Sequence, residues 1–205
     1  MENHFIAKLR EVIKKDPTIE LLHFQTYKGL DIDEINHLCK CNVRNLTKDL
    51  ISFYQVSNGL KVCWISKENS AYEQLKLDWK DTEDWWKWKK GYYYYDGIVQ
   101  ILPLSELFGQ GAKFKWWFEN EVDFSVEFLG RKTNSLSVKK RSLLFDVYDI
   151  FYSSALYWPS TTAQPMILLL EDHEADFFSS SPVTSSEYFS MLLETKGSIA
   201  ARTRK

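Results

Sequence analysis

Leu46-Thr47-Lys48-Asp49-Leu50-Ile51-Ser52-Phe53-Tyr54-Gln55-Val56-Ser57-Asn58-Gly59-Leu60-Lys61-Val62-Cys63-Trp64 decides the fold, because the hydrophobic period changes inside it. Leu46, Leu50, Phe53 and Tyr54 recur at the spacing that lines one face of a helix. Thr47 stands where a hydroxyl can accept from the unpaired amides of a first turn. Asn58-Gly59 predicts a stop, since glycine has no Cβ and enters the left-handed region without a clash. Beyond it Leu60, Val62 and Trp64 alternate with Lys61, Cys63 and Ile65, the period of a strand. Asn58 and Gly59 are therefore structural. Gly59→Ala is expected to cost about 1 kcal/mol or more, and Asn58→Ala less. Nothing in the stretch is catalytic.

The remaining chain sets the bounds. A length of 205 residues suits one domain with a substantial core. A hydrophobic share of 44% with a net charge of −2 describes a folded chain, not a disordered one. The start Met1-Glu2-Asn3-His4 does not read as a signal peptide, and the strongly apolar run Met166–Leu170 is far too short to span a bilayer. Three cysteines, an odd number, suit a reducing cytoplasm better than a disulfide framework. The expected location is cytoplasmic, with no membrane partner.

Phe5, Ile6, Leu9, Val12 and Ile13 make one helical stripe, which Asp16-Pro17 ends. Asp31 and Glu34 form a capping box for a second helix, whose Ile32, Ile35 and Leu38 are expected to face inward. After the central unit the strand candidates are Lys61–Ile65, Tyr72–Trp79, Tyr92–Leu102, Val122–Leu129, Leu143–Tyr152, Met166–Leu170 and Ala175–Ser179. Val122–Leu129 alternates as a strand with one wet face, whereas Leu143–Tyr152 is apolar on both parities except at Asp146 and Asp149. Pro103–Leu107 reads as a short turn or helix. A last helix carries the capping box Thr184/Glu187, the staple Val183/Tyr188 and the stop Gly197. Helices, then strands, then one helix predict an α+β single domain, helices packed on a mainly antiparallel twisted sheet.

Four constellations carry chemistry-bearing side chains. His37, Cys39, Cys41 and Cys63 lack paired metal-ligand spacing, so no metal is expected. Glu171-Asp172-His173-Glu174 with Asp176 follows an apolar strand as a solvated turn would, without a nucleophile or a glycine-rich loop; no catalytic residue and no cofactor is expected. Trp85, Trp86 and Trp88, interleaved with lysines and followed by Tyr92–Tyr95, read as a hairpin around Gly91. Its rings either cover the core or anchor a protein partner. The overall acidity argues against nucleic acid. Last, Lys196, Arg202, Arg204 and Lys205 leave the first 195 residues at −6. Acids gather at Glu119, Glu121, Asp123 and Glu127 and again at Glu171, Asp172 and Asp176, a distribution that would steer a basic partner. No small-molecule substrate is evident.

The Phe53-Tyr54 helix running into Ser57-Asn58-Gly59-Leu60 resembles the centre of the SUKH superfamily, the Smi/Knr-like proteins. The helix pair Asp31–Cys39 and Leu46–Ser57, the block Ile98–Leu107 (IVQILPLSEL) and the terminal strand with helix Ser185–Glu194 follow in that family's order. Val43-Arg44-Asn45-Leu46 stands where the family usually has Leu-Pro before its central helix, and Leu143–Pro165 is long for it. The resemblance implies a lead-in over residues 1–29, a SUKH-like domain over 30–195 and a basic tail over 196–205. It also implies a non-enzymatic protein-binding module, a bacterial immunity protein that neutralises a cognate toxin by direct binding, and the acidic charge distribution suits a basic one. The alternative it implies is an intracellular scaffold of the Smi/Knr type. An enzyme of another kind is the distant third.

Overall fold

The computed structural model describes residues 4–78, 95–109, 125–148, 153–170 and 181–202. In chain order these form α1 (His4–Lys15), β1 (Ile19–Thr26), α2 (Ile32–Cys41), α3 (Lys48–Val56), β2 (Leu60–Ser66), α4 (Tyr72–Asp78), β3 (Gly97–Ile101), α5 (Leu104–Gly109), β4 (Ser125–Phe128), β5 (Arg131–Asn134), α6 (Ser135–Lys139), β6 (Ser142–Val147), β7 (Ser153–Tyr157), β8 (Met166–Leu170), α7 (Ser185–Thr195) and α8 (Ile199–Arg202). Six strands make an antiparallel sheet in the order β1-β2-β3-β6-β7-β8, and β4 pairs with β5 as a separate hairpin. The architecture is α+β in a single domain.

Local chemistry explains the elements. Thr47 accepts from the Leu50 amide at 3.3 Å and starts α3. Asp31 and Glu34 exchange bonds of 2.7 and 2.9 Å at the head of α2, and Thr184 with Glu187 repeats the device at the head of α7. The apolar stripes of α1, α3 and α7 meet on one sheet face. Phe5 lies 4.6 Å from Phe189, which stacks on Phe53 at 5.6 Å. Below them Leu60 faces Ile101 and Val62 faces Val99, all buried. The opposite face carries Cys63 beside Ile98, packed with Tyr148 and Ile199, and Ile65 packed with Ala71 and Leu75. Both parities of β2 are thus buried, Lys61 and the terminal Ser66 being half-exposed. That is more than the alternation suggested, because helices cover this strand from both sides.

Several expectations are corrected. Tyr72–Trp79 is not a strand: Tyr72–Asp78 is helical, and its Leu75 packs beside Ile65 while Leu77 stays exposed. Leu143–Tyr152 is not one element, since β6 ends at Val147 and β7 begins at Ser153. Ile32 is 42% exposed at the first turn of α2, where only Ile35 is fully inside. Lys196, at φ 54, turns left-handed before Gly197 does, so the stop of α7 takes two residues. The short strand Ser125–Phe128 lies in the hairpin, outside the main sheet. Strand β1, whose alternation is blurred, is not among the strand candidates of the sequence; it pairs along its length with β2 and ties the lead-in to the same sheet. Ala175–Ser179 lies outside the described residues.

The sheet has a seam between β3 and β6. Ile101 faces Asp146 there, and Leu102 donates to the Phe145 carbonyl at 2.9 Å. Farther along β3 other groups complete the edge. The Gln100 amide donates to Asp146 Oδ1 at 2.6 Å, the Ile98 amide to the Gly197 carbonyl at 3.1 Å, and the Ile98 carbonyl accepts from the Arg202 guanidinium. The chain therefore passes from α7 on one face to α8 on the other through this seam. Once across, Ile199 packs with Cys63 and Ile98.

Candidate functional site

Three backbone clamps build a cleft beside Gly59. Ser57 Oγ accepts from the Tyr27 amide at 3.0 Å, and its one proton lies between the Gly59 carbonyl at 2.5 Å and the Tyr27 carbonyl at 3.1 Å. Asn58 Oδ1 accepts from the Leu104 amide at 2.8 Å, and Tyr54 donates from its hydroxyl to the Leu102 carbonyl at 3.0 Å. These bonds fix Tyr27 on one side and Leu102–Leu104 on the other. Cross-strand partners Lys61 and Gln100 line the space between them. The cleft holds about 160 Å³, with Ile101, Pro103 and Glu106 completing its lining.

Of its polar residues Lys61 is half-exposed and Glu106 exposed. Gln100 is 5% exposed, and its amide oxygen, buried out of reach of solvent, has no hydrogen-bond partner among the described residues. Lys61 and Glu106 form no ion pair among the described residues. Sequence reasoning passed over this set, although each strand carried a signal. Gln100 interrupts the apolar run Ile98-Val99-Gln100-Ile101-Leu102, and Lys61 sits between two buried residues of β2.

The other strand interrupted by a polar residue behaves differently. Asp146, in β6, is fully buried and fully partnered. Its Oδ2 accepts from Tyr188 at 2.7 Å and from Arg202 at 2.9 Å. Ser154 donates to the Tyr188 oxygen at 2.8 Å, and the Arg202 guanidinium lies 3.5 Å from the centre of the Tyr148 ring. Burial pushes the Asp146 carboxyl up, against the pull of the Arg202 charge and the donated bonds. Burial likewise raises Tyr188 well above its ordinary value. This closed network completes the seam and exposes no group to a ligand, so its role is structural.

The sequence-derived binding residues Trp85, Trp86, Trp88, Glu119, Glu121, Asp123, Glu171, Asp172 and Asp176 lie outside the described residues. Beside them, Tyr95 is described and half-buried, packed against the clusters that hold Cys63 with Ile98 and Ile65 with Leu75. Glu127 is exposed and faces Lys132 across the hairpin. Asn58 accepts from the Leu104 amide and Gly59 takes φ 114, and both shape the cleft. In the thiol cluster His37 Nε2 and Cys41 Sγ approach to 3.6 Å, while Cys63 is buried in β2 and its thiol is held far above its ordinary value by burial. Among the described residues no three His, Cys, Asp or Glu side chains group as metal ligands would, and no helix is long and apolar enough to cross a membrane. Arg202, expected in a basic tail, is instead fully buried.

Protein-family models, curated proteins and solved structures all return no match to this chain.

Proposed function

We propose that the chain is a non-enzymatic protein-binding module of the SUKH type, an immunity protein that neutralises a cognate toxin by occluding it. One observation carries the reading: the separate blocks behind the resemblance are bonded to one another. Asn58 and Tyr54 of the central unit hold Leu104 and Leu102 of the IVQILPLSEL block, and Thr47 at the head of α3 meets Ser185 at the head of α7 at 2.7 Å. Blocks that are loose as sequence motifs are thus mutually dependent in the fold. The three free thiols support a reducing, cytoplasmic setting.

The partner is a protein with basic character, engaged by the aromatic run Trp85–Trp88 and the acidic stretches Glu119–Asp123 and Glu171–Asp176. Co-expression with the product of the adjacent reading frame tests this. A toxic neighbour whose growth arrest is relieved, with a stable one-to-one complex on size exclusion, is the expected outcome. Several weak partners and no rescue would return the scaffold reading. Turnover of a substrate by the purified chain would return the enzyme.

A further inference from the structure

We propose that His37 and Cys41, on the outward face of α2, form half of a zinc site that the same pair of a second copy completes, so that the ion joins two chains. This goes beyond the toxin-binding reading and does not depend on it. The argument starts from a distance: His37 Nε2 and Cys41 Sγ lie 3.6 Å apart. A tetrahedral zinc ion holds imidazole nitrogen at about 2.0–2.1 Å and thiolate sulfur at about 2.3 Å, which sets those two atoms about 3.5 Å from each other. The pair is thus already spaced as two ligands of one ion, one turn apart on one face of a ten-residue helix. Both residues are exposed, so an ion reaches them without any opening of the fold.

Two ligands leave the ion half coordinated, and structural zinc almost always takes four. No third His, Cys, Asp or Glu groups with the pair among the described residues. Cys39, between them in sequence, lies on the other side of the helix and packs against the core. A second α2 related by a two-fold axis brings the missing imidazole and thiolate, and the set closes. The helix is suited to lie antiparallel to its own copy. Asp33 and Glu34 occupy its first turn and Lys40 its last, so each acidic end meets a basic one. Ile32, at the first turn, and Val43, just past the last, are 42% and 66% exposed, and the antiparallel pairing covers one with the other.

The test uses the untagged full chain in a phosphine reductant, which keeps the thiols reduced and prevents a disulfide between two Cys41 side chains. Readouts are the mass by sedimentation, the metal content, and the thiolate-to-metal charge-transfer band of the cobalt(II) form. Zinc chloride should convert monomer to dimer with one ion per two chains, and EDTA should reverse it. Cobalt(II) should give the charge-transfer band of a bound thiolate. His37→Ala and Cys41→Ser should each weaken zinc-dependent dimerisation by roughly tenfold or more, whereas Cys39→Ser should dimerise like wild type. Both altered positions are exposed, so the variants should keep the wild-type circular dichroism. If either does not, the stoichiometry and the cobalt band of the unaltered chain carry the test. The proposal is overturned if zinc leaves the mass unchanged, as for a thiol that only hydrogen-bonds the imidazole. It is equally overturned if one ion binds per chain without dimerisation, if cobalt gives no charge-transfer band, or if both variants dimerise like wild type. Toxin capture by the same variants is scored separately, so either reading can fail alone.

Discussion

At Gly59 the backbone adopts φ 114, and a Cβ built there would sit 3.0 Å from the Ile101 carbonyl oxygen and 3.2 Å from both Pro103 N and Tyr27 Cδ2. Gly59→Ala is therefore doubly opposed, by conformation and by contact, and should cost about 1–3 kcal/mol. Asn58→Ala should cost about 1 kcal/mol, more than its place in a turn suggests, because it leaves the Leu104 amide without its acceptor. Urea midpoints would rank the two, and a wild-type midpoint for either would remove that residue from the clamp. Val43 presents the opposite case. It is a β-branched residue at φ 52, 66% exposed, in the left-handed position that follows α2. Its own amide donates to the Lys40 carbonyl and the Arg44 amide to that of Cys39, the pattern in which glycine is favoured. Val43→Gly should therefore stabilise the protein by roughly 0.5–1 kcal/mol, read as a higher melting temperature.

Elements are joined at their ends by charge. Asp16, just past α1, accepts from Lys196, the residue that ends α7, and also from the Thr18 hydroxyl and amide. These donors, Lys196 foremost, hold the Asp16 carboxyl well below the usual carboxylate range. A depressed folded-state value means that the contribution is present above the unfolded value of about 3.9 and is lost as pH falls toward the folded one. Asp16→Asn should accordingly melt below wild type at neutral pH, and the gap should close below about pH 4. A gap independent of pH would mean that the carboxylate charge plays no part in joining α1 to α7. The same scale exposes the misread element. The stretch beginning at Tyr72 is aromatic and apolar enough to resemble a strand, but Leu75 needs to meet Ile65 across the sheet face, and a short helix delivers it there.

For the molecule as a whole the seam between β3 and β6 is the decisive feature. Arg202 cancels the buried charge of Asp146 and supplies donors to two carbonyls, Ile98 and Gly197. Removing one partner of a buried pair strands the other, so Arg202→Ala should cost about 3–5 kcal/mol, a large share of the roughly 5–15 kcal/mol that holds a domain together. Pairing Arg202→Met with Asp146→Asn should recover part of the loss, since the asparagine oxygen still accepts from Gln100 while no charge is left unpaired. Chemical denaturation of the single and double variants gives the coupling, and strict additivity would contradict the seam's dependence on the pair. Recognition also belongs to this scale. On the proposed function, Trp85→Ala, Trp86→Ala or Trp88→Ala should speed dissociation of the proposed toxin complex, with a loss of about 2 kcal/mol or more for an anchoring ring. Reversing Glu171, Asp172 and Asp176 to Lys should slow association, with a deficit that shrinks as salt rises. Folded variants of both sets that bind with wild-type kinetics would move the contact surface elsewhere.

What the sequence determined by itself was local. The two capping boxes, the Thr47 cap, the Gly59 stop and the apolar stripes depend on neighbours within a few residues, and such short-range chemistry is written in the order of side chains. The α+β class followed from the order of those elements. What only the tertiary structure decided is everything set by residues far apart in the chain. Asp146 reads as a lone acid in an apolar strand until Arg202, a residue of the presumed tail, closes on it. β1 shows no clean alternation because cover on both faces of the sheet leaves it half-buried from Ile19 to Gln25, and its identity as a strand comes from pairing with β2. The cleft, likewise, joins Tyr27, Lys61, Gln100 and Glu106 from four segments. No local period encodes such a meeting, because it is fixed by which strands become neighbours and by which backbone groups the Ser57-Asn58-Gly59 turn happens to clamp.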